Sequence, residues 1–451
     1  MALKGLDIFK LTPKTNCKDC GCPTCMAFAM KVAQGALPLE KCPHMSDDVK
    51  SQLNEATAPP MKSIKIGTGA NEHTLGGETV LFRHEKTLVN KNLFAVTICT
   101  CMDDEKTDSI LSAIPKVDYE RIGERMYVEL IHVKCADPAN DAQRFLNLVK
   151  KAAQLHRGLV LECADAVVAK QAVALCADEK PVLLGANPEN FQQMNDMAKE
   201  SGIVLGVGAT SLSELYDTVA KLEALGNKNL ILDVGVASIK EAFGNAIQIR
   251  SAALKGNDRT FGYPSFVNVG ALAKGDVVMQ SALASAFVLK YGSIIAMSGM
   301  SYADALPLYG LRQNIFTDPQ KPMKVEPGVY PINNADENAV CLTTVDFALT
   351  YFVVSGEIER SGVPVNLLIS DAGGYSVLTA WAAGKLSASS IKKYMDDFQI
   401  ESKIKNRILV LPGKVAVLKG EIEEKLPGWK ILVGPNEAMQ MVKFLKDLQI
   451  N

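Results

Sequence analysis

Short apolar runs alternate with amphipathic stretches through the middle of the chain, between about residues 93 and 297. Strands that are buried on both faces read as continuous apolar runs, and their alternation with helical stretches predicts βαβ units. Eight such units favour a (β/α)8 barrel, with a doubly wound sheet of the same length as the alternative. The runs are Leu93–Ile98, Tyr127–Val133, Gly158–Cys163, Pro181–Gly185, Ile203–Val207, Leu230–Val234, Phe261–Val267 and Ile294–Met297.

The same alternation returns near the C-terminus, after a proline-rich passage at Asp318–Pro331. It predicts a small doubly wound α/β domain, in which the ligand crevice lies beyond the carboxyl ends of the strands. Ser370–Val377 and Gly434–Asn436 are both expected at that edge. Strands are predicted at Val365–Ile369, Ile408–Leu411, Val415–Leu418 and Ile431–Val433, a helical or mixed segment at Cys341–Gly356, and helices at Leu378–Gly384 and Glu437–Leu448.

Two segments precede the predicted barrel. The first is a cysteine-rich module, in which Met26–Gly35 predicts a helix and Asn54–Pro60 is typical of a linker. The second predicts a β-hairpin with strands at Ile64–Gly67 and Thr79–Arg83 around a Gly-rich turn. We therefore predict three domains, residues 1–57, 58–318 and 319–451, with hinges near Pro59-Pro60 and Pro319–Pro331.

Composition narrows the class of protein. The chain has 451 residues and a formal charge of −2, so it lacks the basic excess of a nucleic-acid-binding protein. Its first residues lack the apolar stretch of a signal peptide. The longest apolar run, Val277–Met300, is interrupted by Gln280 and Lys290, which predicts a buried helix and strand rather than a membrane span. We expect a cytoplasmic protein with free, mostly core cysteines at Cys99, Cys101, Cys135, Cys163, Cys176 and Cys341.

Polar residues stand at the carboxyl ends of several predicted barrel strands, where barrel enzymes carry their chemistry. They are Glu162, Asn187, Asp233 and Asn268. The sequence shows no assembled set among them, neither paired carboxylates with a histidine nor a metal triad. Capping of the loops is the simpler interpretation of each, and the barrel is expected to hold another molecule rather than run a reaction.

Four cysteines near the start of the chain suit a metal centre. Cys17, Cys20, Cys25 and Cys42 are spaced C-x2-C-x4-C-x16-C, with Cys22 inside the first group and a proline after the last. Four thiolates suit either an iron–sulfur cluster or a structural zinc. The single clear C-x2-C pair and the long return favour a cluster, although Cys22 and Cys25 could form a second pair for zinc. Disulfides are disfavoured because the chain shows no secretory signal.

Two features of the C-terminal part bear on a ligand. Asp371–Ser376 lies between a predicted strand and helix, and its glycines let the backbone approach a ligand closely. The turn lacks the G-x-G-x-x-G pattern of dinucleotide sites and a P-loop lysine, and an ordinary βα turn remains the alternative. All five histidines precede residue 157, so no imidazole of the C-terminal domain can hold a metal cofactor.

Three motifs in this order resemble the large subunit family of the corrinoid iron–sulfur protein of the anaerobic acetyl-CoA (Wood–Ljungdahl) pathway. Asn16–Met30 resembles its cluster motif, and Thr344–Thr350 and Ser370–Gly384 resemble its corrinoid-binding stretches. The likeness covers the whole chain. It implies a small [4Fe–4S] domain, a central (β/α)8 TIM barrel and a C-terminal Rossmann- or flavodoxin-like corrinoid domain. By this likeness the cluster ligands are Cys17, Cys20, Cys25 and Cys42, with Cys22 extra, and the corrinoid contacts are Thr344, Thr350, Gly374, Tyr375, Ser376, Val377 and Gly434.

The resemblance also implies a function. The family's corrinoid is held base-off, without a protein histidine ligand, and cycles between Co(I) and methyl-Co(III). The methyl group comes from methyltetrahydrofolate through a separate methyltransferase and goes to acetyl-CoA synthase, while the [4Fe–4S] cluster restores Co(I) after oxidation to Co(II). The expected partners are a small subunit that forms a heterodimer, the methyltransferase, acetyl-CoA synthase and a reductive activator.

Two other functions stay open on the sequence. One is a pterin-dependent corrinoid methyltransferase whose barrel itself binds the methyl donor. The other is a purely electron-transferring protein whose C-terminal domain only docks partners. A corrinoid spectrum would separate the last from the carrier, and methyl transfer without an added methyltransferase would favour the first.

Overall fold

The computed structural model describes residues 5–33, 37–46, 49–50, 60–235, 237–317 and 323–450. The chain divides into two compact units, Met1–Val117 with Val128–Arg312, and Asp118–Tyr127 with Gln313–Asn451. The predicted domain boundaries at 57/58 and 318/319, and residues 54–59 of the predicted linker, lie outside the described residues.

The cysteine module is built on two short helices, α1 (Gly5–Leu11) and α2 (Cys25–Ala33). Thr24 begins α2, because its Oγ1 accepts a hydrogen bond from the backbone N–H of Ala27 at 3.1 Å. Phe28 and Ala29 on α2 pack with Ile8 of α1 in one apolar cluster. The helix predicted from Met26 is confirmed over its described part, while its end at Gly35 lies outside the described residues.

A two-stranded antiparallel hairpin follows, formed by β1 (Ser63–Ile66) and β2 (His73–Gly76). The predicted hairpin is confirmed, but its predicted second strand, Thr79–Arg83, is wrong. The strand ends earlier because Gly76 and Gly77 have φ angles of +77° and +79°, which leave the extended region.

The middle of the chain forms a closed, eight-stranded parallel barrel, as predicted. Each of the eight apolar runs overlaps one barrel strand, and the barrel is closed, so the doubly wound alternative for this region is wrong. A separate hairpin, β4 (Asp118–Arg121) and β5 (Glu124–Tyr127), groups with the second unit. The barrel strands are β3 (Leu93–Cys99), β6 (Leu130–Lys134), β7 (Gly158–Glu162), β8 (Val182–Ala186), β9 (Val204–Val207), β10 (Leu230–Asp233), β11 (Ser265–Asn268) and β12 (Ile294–Met297).

Helices alternate with these strands, and most begin at a residue that caps them. Asp103, Asp165, Ser211 and Asp276 each accept a hydrogen bond from a backbone N–H in the first turn. The helices are α3 (Asp104–Ala113), α4 (Pro138–Ala153), α5 (Ala166–Ala174), α6 (Phe191–Ser201), α7 (Leu212–Ala224), α8 (Ile239–Leu254), α9 (Val269–Ala273), α10 (Val277–Leu289) and α11 (Tyr302–Ile315).

The long apolar run Val277–Met300 forms α10 and β12, which confirms a helix followed by a strand. Gln280 on α10 is buried, and its Oε1 accepts a hydrogen bond from the Ser298 N–H at 2.8 Å. Among the helices of the described residues, none combines the length and apolar content that a membrane crossing requires.

A buried ion pair closes the amino-terminal end of the barrel. Arg312 Nη1 lies 2.7 Å from Glu129 Oε1, and both side chains are 3% exposed. The same guanidinium nitrogen donates to the Asn92 carbonyl at 2.7 Å, and Glu129 Oε2 accepts from the Phe94 N–H at 3.0 Å. These bonds satisfy charges that would be costly to bury alone.

The second unit is built on a five-stranded sheet of order β13-β15-β14-β16-β17, in which only β13 is antiparallel. Apolar clusters cover both faces, since Leu409 packs in one cluster and Val410 in the other. The strands are β13 (Gly328–Ile332), β14 (Val340–Val345), β15 (Val365–Ser370), β16 (Ile408–Leu411) and β17 (Lys430–Val433), and the helices are α12 (Ala348–Ser361), α13 (Val377–Ala382), α14 (Ala388–Asp397), α15 (Ile400–Lys403), α16 (Lys419–Lys425) and α17 (Met441–Ile450).

One prediction for this unit is wrong, one is confirmed in more detail, and one strand was missed. Val415–Leu418 is not a strand, because Gly413–Leu418 folds as a 3-10 turn with Val417 72% exposed. The mixed segment Cys341–Gly356 separates into β14 and α12. The edge strand β13, inside the proline-rich passage, was not predicted; Pro331 is tolerated there because an edge strand leaves one side without ladder partners.

Cys99 and Cys101 form a disulfide, so the expectation of free thiols is wrong for this pair. Their Cα atoms are 5.2 Å apart, within the range that a disulfide spans. Cys135, Cys163, Cys176 and Cys341 are free and buried. Burial raises the pKa of Cys135, Cys176 and Cys341 to about 12, which suits core residues rather than reactive thiols.

Candidate functional site

The four predicted cluster cysteines meet in one small cavity of the N-terminal module. Cys17, Cys20, Cys25 and Cys42 line it together with Cys22, and all five are free. Cys17 is exposed and Cys20 half-buried, whereas the others are buried. One side of such a centre would therefore face solvent, and the rest would face the apolar cluster around Phe28.

The loop that carries these cysteines is folded so that its backbone turns towards sulfur. Lys14, Asn16 and Lys18 have left-handed φ angles of 58°, 49° and 69°, which is uncommon for residues with a side chain. The Asn16 N–H donates to Cys25 Sγ at 3.4 Å, and Asn16 Oδ1 accepts from the Cys25 N–H at 2.8 Å. N–H groups aimed at sulfur stabilise thiolates and tune the potential of an iron–sulfur cluster.

Three further residues, Cys22, Asp19 and His44, lie among or beside the four predicted ligands. Burial raises the pKa of the Cys22 thiol. Cys17 also lies with Asp19 and His44, whose ligand atoms all fall within 4.8 Å of one another. His44 Nε2 lies 2.6 Å from Asp19 Oδ2, and this hydrogen bond lowers the pKa of Asp19.

A second cavity, of about 310 Å³, opens at the carboxyl ends of the strands in the second unit. Of the predicted corrinoid contacts, Thr344, Thr350, Ser376 and Val377 line it. The cavity is therefore bordered by the carboxyl end of β14, the first turns of α12 and the turn that follows β15. The remaining predicted contacts do not line it: Gly374 and Tyr375 lie in that turn, and Gly434 adjoins the lining residue Pro435.

The sequence did not single out several residues of this cavity. Leu349, Val353 and Leu378 line it and are 62%, 45% and 46% exposed, which gives it an apolar rim. Lys414 and Glu437 face each other at its other side, with Nζ and Oε1 3.2 Å apart. Lys414 could have been predicted as a site residue, because it follows the end of the apolar run Ile408–Leu411. The wrong prediction of a strand at 415–418 placed it between two strands instead.

Gly413 closes the gap between the ends of β16 and β17. A Cβ at this position would lie 2.6 Å from the Gly434 carbonyl oxygen and 2.7 Å from Asn436 Oδ1. The Gly434 N–H donates to the Leu411 carbonyl at 2.8 Å, and this bond holds the two strand ends together. Only glycine allows the loops at 413 and 434–436 to approach so closely.

The carboxyl end of the barrel holds an assembled set of ionisable side chains, so the prediction that no such set exists is wrong. His132 Nε2 lies 2.9 Å from Glu162 Oε2, and Lys134 Nζ lies 2.5 Å from Glu162 Oε1. His132 is fully buried, and its Nδ1 lies 3.1 Å from Thr97 Oγ1. Lys134 and Glu162 face each other because β6 and β7 pair in that register.

The two carboxyls of this set differ in charge. Burial disfavours the ionised form of Glu162, but the hydrogen bonds and charges of His132 and Lys134 outweigh it and lower its pKa to about 2. Burial, with a smaller contribution from Glu162, raises the pKa of Asp233 to about 6. An ionised carboxylate and a carboxyl that exchanges its proton near neutrality are therefore neighbours.

The other two polar candidates at the barrel ends are caps, as predicted. Asn187 Oδ1 accepts from the backbone N–H groups of Glu189 and Asn190. Asn268 Oδ1 accepts from the Ala271 N–H at 2.9 Å.

Comparisons with known proteins match the whole chain. Residues 63–445 match a family described as CO dehydrogenase/acetyl-CoA synthase delta subunit, and residues 13–44 match a family described as an Fe-S cluster. The chain is 38% identical to the corrinoid/iron-sulfur protein large subunit of Moorella thermoacetica, over 99% of each chain. It is 32% identical to the acetyl-CoA decarbonylase/synthase complex subunit gamma of Methanopyrus kandleri, over 98% of this chain and 97% of that one.

Among solved structures, dihydropteroate synthase from Thermus thermophilus aligns with 52% of this chain and 98% of its own, at 12% identity and a TM-score of 0.40. The synthase from Vibrio fischeri aligns with 52% of this chain and 96% of its own, at 14% identity and a TM-score of 0.37. At these scores the likeness bears on no conclusion about activity.

Proposed function

The chain belongs to the family of corrinoid/iron–sulfur protein large subunits, and from this premise we propose that it carries methyl groups on a bound corrinoid. The observation that carries the proposal is that one chain holds two candidate sites of different chemistry. One is a cavity of free cysteines, and the other is an apolar-rimmed cavity at the carboxyl end of an α/β sheet. The three parts predicted from the sequence, 1–57, 58–318 and 319–451, would divide these roles.

The cysteine cavity fits an iron–sulfur cluster. Cys17, Cys20, Cys25 and Cys42 would supply the four thiolates of a [4Fe–4S] cluster, and the Asn16 N–H already points at one of the four sulfurs. Cys22, which is buried, would remain an extra cysteine beside it.

The second cavity fits the edge and face of a corrin macrocycle. Leu349, Val353 and Leu378 would pack on the ring, since exposed apolar side chains that border a cavity mark a ligand or partner site. Thr344 and Thr350 would supply hydroxyl groups to the amide side chains of the ring. Gly374, Tyr375, Ser376, Val377 and Gly434 would approach it through the turn after β15 and the loop after β17. A sheet covered on both faces, as here, binds ligands beyond its strand ends.

When bound, the corrinoid would supply the cobalt nucleophile for the methyl group, and the cluster would supply the electron that restores this nucleophile after oxidation. The chain has no histidine after residue 157, so residues 319–451 would offer no imidazole to the cobalt, and the base-off state is proposed from the family resemblance. Without a strong axial donor from the protein, the metal is easier to reduce.

One relative is named as a large subunit and another as a subunit of the acetyl-CoA decarbonylase/synthase complex, and we propose a small subunit and acetyl-CoA synthase as partners of this chain. A methyltetrahydrofolate methyltransferase as methyl source and a reductive activator complete the proposed set. Each of these partners must reach the corrinoid in turn. This requirement agrees with a cavity that opens to the surface of the unit through an exposed rim.

Anaerobic optical and EPR spectroscopy of the chain, co-expressed with its small subunit, tests the proposal. Reductive titration should show a base-off Co(II) signal, and protein without any corrinoid signal would refute it. Cys20→Ala should abolish reductive reactivation but leave methyl transfer from pre-reduced protein intact. Cys22→Ala is the matched control and should retain both, whereas loss of the cluster in this variant would contradict the ligand assignment.

The ionisable set at the carboxyl end of the barrel favours a second candidate, a pterin-dependent corrinoid methyltransferase. A methyl donor that leaves as an amine needs a proton, and Asp233, with its pKa near 6, could deliver one there. Methyl transfer from methyltetrahydrofolate to the chain and small subunit, without an added methyltransferase, would support this function. Asp233→Asn should then remove the transfer, and a complete dependence on added methyltransferase would refute it.

A further inference from the structure

One buried acidic residue, Asp346, holds the turn after β15 in place through hydrogen bonds. Asp346 follows β14 and is fully buried. Its Oδ1 accepts hydrogen bonds from the backbone N–H groups of Ala372 and Gly374, both at 3.0 Å. Its own N–H donates to the Ser370 carbonyl at 3.1 Å, so one residue connects the end of β14 to both ends of the segment 370–374.

The second side-chain oxygen of Asp346, Oδ2, has different surroundings from Oδ1. Asp346 Oδ2 is buried and, among the described residues, has no hydrogen-bond partner that satisfies normal geometry. Lys324 Nζ lies 3.9 Å from Asp346 Oδ2 and 3.9 Å from Asp371 Oδ1. Asp371 is exposed, and its Oδ1 accepts from the Gly373 N–H at 2.9 Å.

The surroundings of Asp346 and Asp371 shift the pKa values of these two acids in opposite directions. Burial raises the pKa of Asp346, whereas the hydrogen bond from the Gly373 N–H and the charge of Lys324 lower the pKa of Asp371. The two acids therefore differ in their surroundings, since Asp346 is fully buried and Asp371 lies exposed beside Lys324.

The turn needs such support because its backbone is unusual. Gly373 and Gly374 have φ angles of +69° and +77° in succession. A flexible side chain packs on the same turn, since Lys385 Nζ lies 4.8 Å from the centre of the Tyr375 ring. Two consecutive left-handed glycines have many accessible conformations, so fixed hydrogen bonds must select one.

We infer that Asp346 is a positioning residue, which sets the Asp371–Ser376 turn in the conformation that receives the corrinoid. The inference rests on the proposed function, because Ser376 at the end of this turn and Val377 directly after it line the proposed corrinoid cavity. Asp346 does not itself line that cavity, so it acts through the Ala372 and Gly374 amides.

Two substitutions separate positioning from simple folding. Asp346→Ala removes the acceptor for two amides and should weaken cobalamin binding about tenfold or more, as expected for two lost hydrogen bonds to a buried acid. Asp346→Asn keeps an acceptor oxygen and places an NH2 donor where Oδ2 lies, so it should bind within about threefold of the parent. Asp336→Ala is the control, because Asp336 makes the same kind of bond to the Asn338 N–H, at 2.8 Å, at the opposite end of the sheet.

Each variant is prepared with the small subunit, and its affinity for added cobalamin is measured together with hydrogen exchange of the 370–377 segment in corrinoid-free protein. Asp346→Ala should exchange faster in this segment than Asp346→Asn and the control, and it alone should lose affinity. Parent-like affinity and exchange in Asp346→Ala would overturn the inference alone. A parent protein that takes up no cobalamin would overturn the proposed function and this inference together.

Discussion

Gly413→Ala should damage the second unit more than a single methyl group normally does. The added Cβ would lie 2.6 Å from the Gly434 carbonyl oxygen, 2.7 Å from the Pro435 carbonyl carbon and 2.7 Å from Asn436 Oδ1. Two of these atoms are backbone, so a rotamer change cannot relieve the contact. Overpacking of this kind costs about 1–3 kcal/mol in the free energy of unfolding.

The loop at 434–436 must move if the unit folds at all. Because Pro435 and Asn436 line the proposed corrinoid cavity, corrinoid affinity should fall along with stability. Gly356→Ala is the matched control. Gly356 lies exposed within α12 with no atom within 4 Å of its added Cβ, so alanine should stabilise the helix by about 0.5–1 kcal/mol.

Tryptophan fluorescence during urea unfolding measures this difference in the right part of the molecule. The chain has two tryptophans, Trp381 and Trp429, and both belong to the second unit. The transition that they report should shift to lower urea for Gly413→Ala and to slightly higher urea for Gly356→Ala. A parent-like or higher midpoint for Gly413→Ala would refute the reasoning from the close approach.

Three further predictions concern the stability of the first unit, and each is measured by urea unfolding that is monitored by circular dichroism. Glu162→Gln should cost roughly 3 kcal/mol at pH 7, since the stabilisation from its lowered pKa is present above about pH 4.5 and lost as pH falls through about 2; an equal cost at pH 2 would contradict this. Asp233→Asn should act in the opposite direction and stabilise by roughly 1–3 kcal/mol at pH 8, because the raised pKa makes the parent lose stability as pH rises through about 6; a parent-like pH profile would refute it. Arg312→Met should destabilise by roughly 3–5 kcal/mol by leaving Glu129 buried and unpaired, and the added change Glu129→Gln should recover part of the loss.

Local sequence pattern was a good guide to the elements of this protein. All eight barrel strands were predicted, because a strand buried on both faces must be apolar along its length whatever its neighbours are. The errors came where burial is partial or the chain turns early. The run Val415–Leu418 is apolar enough for a strand, yet Val417 faces outwards in a 3-10 turn.

The cysteine spacing and the resemblance that follows from it also come from the sequence alone. The comparisons confirm the family, while the individual ligands, Cys17, Cys20, Cys25 and Cys42, stay predictions that the cavity supports.

The side-chain sets at the other sites were decided by tertiary structure. Glu162 was noticed as a strand end, but its pairing with Lys134 follows from the register of β6 on β7. Asp233 joins them only because the barrel closes, and Asp346 supports a turn 26 residues further along the chain. Apolar periodicity is a local property that the chain carries with it, whereas the distance between two ionisable groups depends on register and closure, which no local pattern encodes.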